Sequence, residues 1–231
     1  MARISKSTIT KLEIIQVASK MFLEKGYSNT SIKMVCDELE MSPGNVTFYF
    51  RTKEHLLAEL VDILCNFQRK MMDKEANEGV SSVMAMCLEL ATMIVMCEED
   101  ENVKEFFFSA YSSPMGLEII RNNDAQRAKE VFKDYCPDWT DDQFMEAEVL
   151  ASGVEYATLM TTEDILPIET RISGALNNIL GIYQVPEEMR KMKIDRLLNM
   201  DYRKIGRKVL RDFKKYVEQA NEQAFLDLLK H

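Results

Sequence analysis

An all-α fold is what this sequence predicts, and three observations carry it. Eight glycines and five prolines in 231 residues leave long stretches without helix breakers. Alternating apolar and polar runs, the mark of half-buried strands, are almost absent. Apolar residues instead recur at i, i+3, i+4 and i+7, repeatedly behind a Ser, Thr or Asp suited to capping a helix.

The first helix carries a capping-box pattern at Thr10-Lys11-Leu12-Glu13. Its buried face is Ile14, Ile15, Ala18, Met21 and Phe22, and Lys25-Gly26 closes it. Ser31 is placed to cap a second, short helix whose stripe is Ile32, Val35, Cys36 and Leu39. Glu40-Met41 breaks that pattern. Ser42-Pro43 restarts a helix, serine as cap and proline at the first position, where its missing N–H costs nothing. There Val46 and Phe50 point inward, while Asn45, Thr47, Phe48 and Tyr49 face outward. Thr52 then opens a longer helix carrying Leu56, Leu60, Ile63, Leu64, Phe67 and Met71, with Asn77-Glu78-Gly79 as its stop. Two short helices joined by a three-to-four-residue turn form a helix-turn-helix, whose second helix enters the DNA major groove.

These residues resemble a known family. Ile14-Ile15, Ala18, Phe22, Gly26, Thr30-Ser31, Ser42-x-Gly44 and Tyr49-Phe50-x-Thr52-Lys53-Glu54-x-Leu56 are similar to the N-terminal domain of TetR (tetracycline-repressor-like) regulators. The resemblance covers about the first quarter of the chain. It departs at Thr47, where the family usually has a tyrosine, and at Phe48, where it has small or polar residues. It implies a first helix starting nearer Ser7, a three-helix helix-turn-helix domain over 1–53, and a larger helical domain over 54–231 for effector binding and dimerisation. The helices over 187–231 exceed the family's usual plan.

Residue type assigns roles at the DNA. Thr30, Ser31 and Ser42 lie at helix starts, where hydroxyls and free N–H groups suit phosphate oxygens. Tyr49 and Lys53 are placed for backbone phosphates, and Gly44 permits close approach. Asn45 and Thr47 are the base-edge candidates, the amide for adenine and the threonine methyl for thymine. Lys33 suits either role. Phe48 suits a sugar, a thymine methyl or the core.

Thirteen of the fifteen residues over 83–97 are apolar, so this helix, capped by Ser81 or Ser82, is expected to be buried all round. The run Glu98-Glu99-Asp100-Glu101 reads as a solvated loop. An aromatic-rich helix over 103–111 ends at Ser112-Ser113-Pro114, and another helix spans 115–136. Thr140-Asp141-Asp142-Gln143 is a second capping box. The helix behind it carries Phe144, Ala147, Ala151 and Val154; the one after Pro167 carries Ile168, Ile172, Ala175, Ile179 and Ile182. By the resemblance these two faces pack on their copies as a four-helix dimer interface; the alternative is an intramolecular hairpin. Two last helices follow, over 187–199 and 202–229, the latter with Ile205, Val209, Phe213, Val217, Ala220, Ala224 and Leu228 on one face.

The net charge of −9 is unevenly spread: +2 over 1–55, −17 over 56–189, +8 over 190–215 and −2 beyond. A basic reader on an acidic body fits a protein whose body stays off the phosphates. The basic run over 190–215 reads as the solvated face of an amphipathic helix, set against the acidic body, rather than a further nucleic-acid contact. No apolar run reaches the ~20 residues of a membrane span. No secretory leader is visible, and five cysteines with no CxxC pair suit a reducing, cytoplasmic setting.

Catalysis is not expected. His55 and His231 are the only histidines, and no hydrolase, kinase or nucleotide-binding motif occurs. No metal site or cofactor is expected either; Cys87 and Cys97 with nearby methionines make a thiol or soft-metal sensor the minor alternative. By the resemblance the body holds an effector cavity, with Met86, Met93, Met96, Phe107, Tyr111, Trp139, Tyr156 and Met160 as lining candidates. The expected protein is a homodimeric repressor that binds a palindromic operator in double-stranded DNA and is released by a small apolar or amphipathic effector. The rival reading keeps the helix-turn-helix but makes the body a protein-interaction module with no small ligand.

Overall fold

The computed structural model describes the backbone of residues 6–77 and 80–229, and their side chains except 72, 73, 75–77 and 220–229. Among the described residues there are eleven helices and no strand. They are α1 (Lys6–Lys25), α2 (Ile32–Glu38), α3 (Pro43–Tyr49), α4 (Lys53–Asn77), α5 (Ser82–Glu99), α6 (Glu101–Ser112), α7 (Pro114–Phe132), α8 (Asp141–Met160), α9 (Ile168–Ile182), α10 (Glu187–Leu198) and α11 (Tyr202–Leu229). The stop at Glu78-Gly79, the terminal His231 and the Ala220, Ala224 and Leu228 side chains lie outside the described residues.

The caps do what their chemistry allows. Ser31, Ser42 and Ser81 accept from the backbone N–H three residues on, and Thr140 with Gln143 completes a reciprocal capping box at α8. At the first helix the capping reading is corrected. α1 starts at Lys6, and the Thr10 hydroxyl donates to the Lys6 carbonyl at 3.1 Å inside the helix.

Helix α5 is the axis of the body. It is buried along almost its whole surface, and α4, α6, α7, α8, α9, α10 and α11 all pack against it. An apolar-all-round sequence has no solvated face to offer, so its neighbours must enclose it. α11 crosses it closely at Gly206, where a β-carbon would stand 2.6 Å from Val95.

The acidic run over 98–101 is no solvated loop. Glu98 and Glu99 finish α5, Asp100 caps α6 through the N–H groups of Asn102 and Val103, and Glu101 opens α6. Its charges meet cations: Arg171 reaches Glu98 at 2.6 Å, Arg207 reaches Glu99 at 3.0 Å and Lys214 reaches Asp100 at 2.5 Å. Part of the basic stretch over 190–215 is thus spent on the body, and α11 also reaches the first helix through Gln16 Nε2, which donates to the Glu218 carbonyl at 3.1 Å.

The stripes expected at a dimer interface face inward instead. Phe144, Ala147, Ala151, Ile168, Ile172, Ala175 and Ile179 are buried within the chain, and Val154 and Ile182 are half-buried against the same core. The physical reason is simple: the stronger stripe on a helix goes to the chain's own core. The outward face of α8 carries Val149, Leu150, Gly153 and Ala157, and α9 presents Thr170, Gly174, Asn177 and Asn178.

Candidate nucleic-acid interface and effector region

The reading element is built on two buried anchors. Val46 is fully buried and Phe50 nearly so, which holds α3 against α2 and turns its other face to solvent. On that face Gly44, Asn45, Thr47 and Phe48 are exposed, as is Lys33 on α2. Phe48 is 79% exposed, which settles it as surface and not core, and its ring meets Tyr49 edge-on at 5.1 Å. The Thr47 hydroxyl donates to the Pro43 carbonyl at 2.9 Å, leaving its methyl uncommitted. No heavy atom crowds Gly44 closer than 3.9 Å from where a β-carbon would sit, so that edge of α3 is open.

Several residues assigned to phosphates have other partners. The Thr30 side chain is buried, its hydroxyl donating to the Gly26 carbonyl at 2.8 Å. Lys53 Nζ donates to the carbonyls of Tyr27 and Thr30 at 2.9 and 3.0 Å and sits 4.1 Å from the centre of the Tyr27 ring. Lys53 therefore stitches the start of α4 to the turn before α2. The Tyr49 hydroxyl donates to Ser7 Oγ at 3.1 Å, tying α3 to the first turn of α1. Ser31 and Ser42 use their lone pairs as caps, which leaves each hydroxyl hydrogen available to an acceptor.

Helix α6 grips the turn that leads into this domain. Glu105 Oε1 accepts from the Ser28 N–H at 2.7 Å, and Asn102 Nδ2 donates to the Glu24 carbonyl at 2.8 Å. Gly26 lies between them at φ +89°, and a β-carbon there would come within 2.2 Å of Glu105. Only glycine fits both that backbone conformation and that approach.

Further along, α6 faces the body's interior at two places. Phe107, Met93 and Met96 border an apolar cavity with Leu64, Phe67, Met71 and Val209, but its volume is only about 30 Å³. That holds a water or two, far short of the roughly 300 Å³ a drug-sized ligand needs. The other lining candidates lie elsewhere. Met86 and Met160 are half-buried, Trp139 packs edge-on against Phe144, and Tyr156 lies beside Tyr111 and Phe108.

Tyr111 leads to a feature that sequence reasoning missed. Its hydroxyl donates to Glu155 Oε2 at 2.8 Å, and oxygens of Asp124, Glu148 and Glu155 all lie within 4.8 Å of one another. Arg127 pairs with Asp124 at 2.9 Å and with Glu89, and Tyr183 donates to Glu148 Oε2 at 3.1 Å. Burial first, then the charges of Asp124 and Glu155, pushes the Glu148 carboxyl up to about 10. Burial and then Asp124 push Glu155 up to about 8. The legible signal was on α8, where Glu148 and Glu155 stand two turns apart on the same side as the small Ala151 and Ser152.

The five cysteines are all buried and unpaired. Burial pushes the Cys87 thiol up to about 12 and raises those of Cys65 and Cys97 as well. Among the described residues no helix is long and apolar enough to cross a membrane.

Comparison with known proteins finds its sequence matches in the N-terminal part of the chain. Residues 14–60 match the family model described as bacterial regulatory proteins, tetR family. Over 49 residues the chain is 39% identical to an uncharacterized HTH-type transcriptional regulator, YuxN, of Bacillus subtilis, covering 21% of this chain and 17% of that one. Over 53 residues it is 36% identical to the HTH-type transcriptional regulator QacR of Staphylococcus aureus, covering 23% and 28%. The matches thus span well under a third of either relative. Among solved structures, Salmonella enterica GusR superposes with a TM-score of 0.51 at 19% identity, over 79% of this chain and 99% of that one. At that identity the likeness concerns the fold.

Proposed function

We infer, from the match of residues 14–60 to the tetR family of bacterial regulatory proteins, that the chain is a DNA-binding transcriptional regulator of that family and acts as a homodimeric, effector-released repressor in the cytoplasm. The observation that carries the reading is the outward face of α3: Asn45, Thr47 and Phe48 all exposed on a helix pinned by buried Val46 and Phe50. A short rigid helix with an amide, a methyl and an aromatic ring on its free side is equipped to read base edges in a major groove.

In this account Asn45 reads adenine, Thr47 offers its methyl to thymine, and Phe48 packs on a thymine methyl or sugar. Lys33, Ser31 and Ser42 face phosphates, with Gly44 allowing the approach. Thr30, Lys53 and Tyr49 act mainly by holding the reader in register, since their polar groups already have protein partners. The domain boundary falls near residue 53, with α4 shared between reader and body.

Dimerisation uses the outward faces of α8 and α9. Val149, Leu150, Gly153 and Ala157 form an exposed apolar and small-residue strip, and nothing lies within 4 Å of a β-carbon built on Gly153 or Gly174. Two such helix pairs can close into a four-helix bundle. That places two reading helices on successive turns of a palindromic operator, roughly 34 Å apart.

The effector enters the body between α4, α5, α6 and α11, where Met93 and Met96 can repack around a small apolar or amphipathic molecule. Binding must open the present ~30 Å³ cavity, and the opening displaces α6. Since Asn102 and Glu105 of α6 hold Glu24 and Ser28, displacement reaches the reading domain directly. The partner-module rival is weaker, because Arg203, Arg207 and Lys214 of the C-terminal helix are already paired within the chain.

A thermal-shift screen with apolar and amphipathic compounds tests the effector claim. A dose-dependent rise in Tm, lost in Met96→Trp, supports it. No rise across the screen, with a stable protein complex recovered instead, would favour the rival.

A further inference from the structure

We propose that Asp124, Glu148 and Glu155 form a binding site for a hard divalent cation of the calcium type. The three carboxylates come from α7 and α8, and one oxygen from each lies within 4.8 Å of the other two. Carboxylates this close cannot all stay ionised without a compensating positive charge. Arg127 supplies one, but it is shared with Glu89, a fourth acid beside the cluster.

An independent observation points to a ligand. Glu148 is only 3% exposed, and its Oε1 has no hydrogen-bond partner, although Oε2 accepts from Tyr183. A buried carboxylate oxygen left without a donor is costly, and the cost is recovered when that oxygen coordinates an ion.

The oxygens lie within 4.8 Å of one another, inside the limit of about 4.6–5.2 Å that two oxygens on one Ca²⁺ can reach. Ca²⁺ accepts irregular sets of oxygen ligands, whereas Mg²⁺ demands near-ideal octahedral geometry and gives up its waters reluctantly. Asp124 Oδ1 already accepts from Arg127 and Asn123, yet a carboxylate offers about four acceptor sites, so it retains capacity. All three ligands are oxygen, which disfavours softer zinc or copper.

The test is calorimetric titration of the metal-stripped full chain with Ca²⁺, Mn²⁺ and Mg²⁺, for wild type, Glu148→Gln and Glu155→Gln. Wild type is expected to take one Ca²⁺ per chain, bind Mg²⁺ at least tenfold more weakly, and gain melting temperature with Ca²⁺. Each variant is expected to bind Ca²⁺ at least tenfold more weakly. Without metal each variant should melt close to wild type, since glutamine keeps the size of the side chain and an oxygen acceptor; this separates lost binding from lost folding. No heat and no Ca²⁺-dependent shift in wild type would overturn the proposal. So would Ca²⁺ binding of equal strength in wild type and both variants, which would place the ion elsewhere. None of these readouts involves DNA, so they stand apart from the regulator reading.

Discussion

Glu105, on the first turns of α6, accepts the backbone N–H of Ser28 at 2.7 Å, across the Gly26 turn that joins α1 to α2. This bond links the body to the reader at a point where the chain has no room for a side chain. Its removal in Glu105→Ala leaves Ser28 N–H without that acceptor. Hydrogen exchange should then speed up locally over residues 26–30, with a stability loss of about 1 kcal/mol. Unchanged exchange there would mean the bond does not couple the two parts.

Gly26→Ala should cost more, about 1–3 kcal/mol, because it adds left-handed strain to a collision with Glu105. In an Glu105→Ala background the collision disappears and only the strain remains. Denaturant unfolding of the four proteins should therefore show non-additivity, the double variant being more stable than the single losses imply. Strict additivity would remove Glu105 as the source of the crowding.

Lys53→Ala removes two hydrogen bonds to the Tyr27 and Thr30 carbonyls and the cation over the Tyr27 ring. The expected loss is about 1–3 kcal/mol, seen as a fall of several degrees in Tm. Operator affinity should weaken without any change in base preference, since no base contact is touched. Weakened DNA binding at unaltered stability would return Lys53 to a phosphate role.

The two faces of the α8–α9 pair should separate cleanly. Leu150→Glu, at a position 57% exposed, is expected to convert dimer to monomer in light scattering with the monomer still folded. Ile172→Ala, fully buried, should cost about 2–5 kcal/mol of stability instead. A dimer unaffected by Leu150→Glu would move the interface off this face.

With every thiol buried and Cys87 held up near 12, the native protein should react with a disulfide reagent at pH 8 only as fast as it unfolds. Fast reaction of one thiol in the native state would revive a cysteine sensor.

Much of this architecture was legible because it is local. Ser31, Ser42, Ser81 and Thr140 announce their helix starts, and the unbroken apolar surface of α5 announces a helix enclosed on all sides. What a stripe cannot say is which partner it meets. Ile168 to Ile179 marked the buried face of α9 correctly, while the identity of the neighbour depended on tertiary packing. Side-chain type could not show the partners of Thr30 and Lys53 for the same reason, since their acceptors lie on Gly26 and Tyr27, fixed only once α1 turns back. The carboxylate cluster joins α7 to α8, so its assembly depends on tertiary packing that neither helix's own sequence specifies.

If α3 reads DNA, a selection from random duplexes with the full chain should recover a palindromic site with half-sites one helical turn apart. Asn45→Ala should lose one base preference while overall folding is unchanged. No enriched sequence at low salt, or an Asn45→Ala protein with an identical preference, would contradict it.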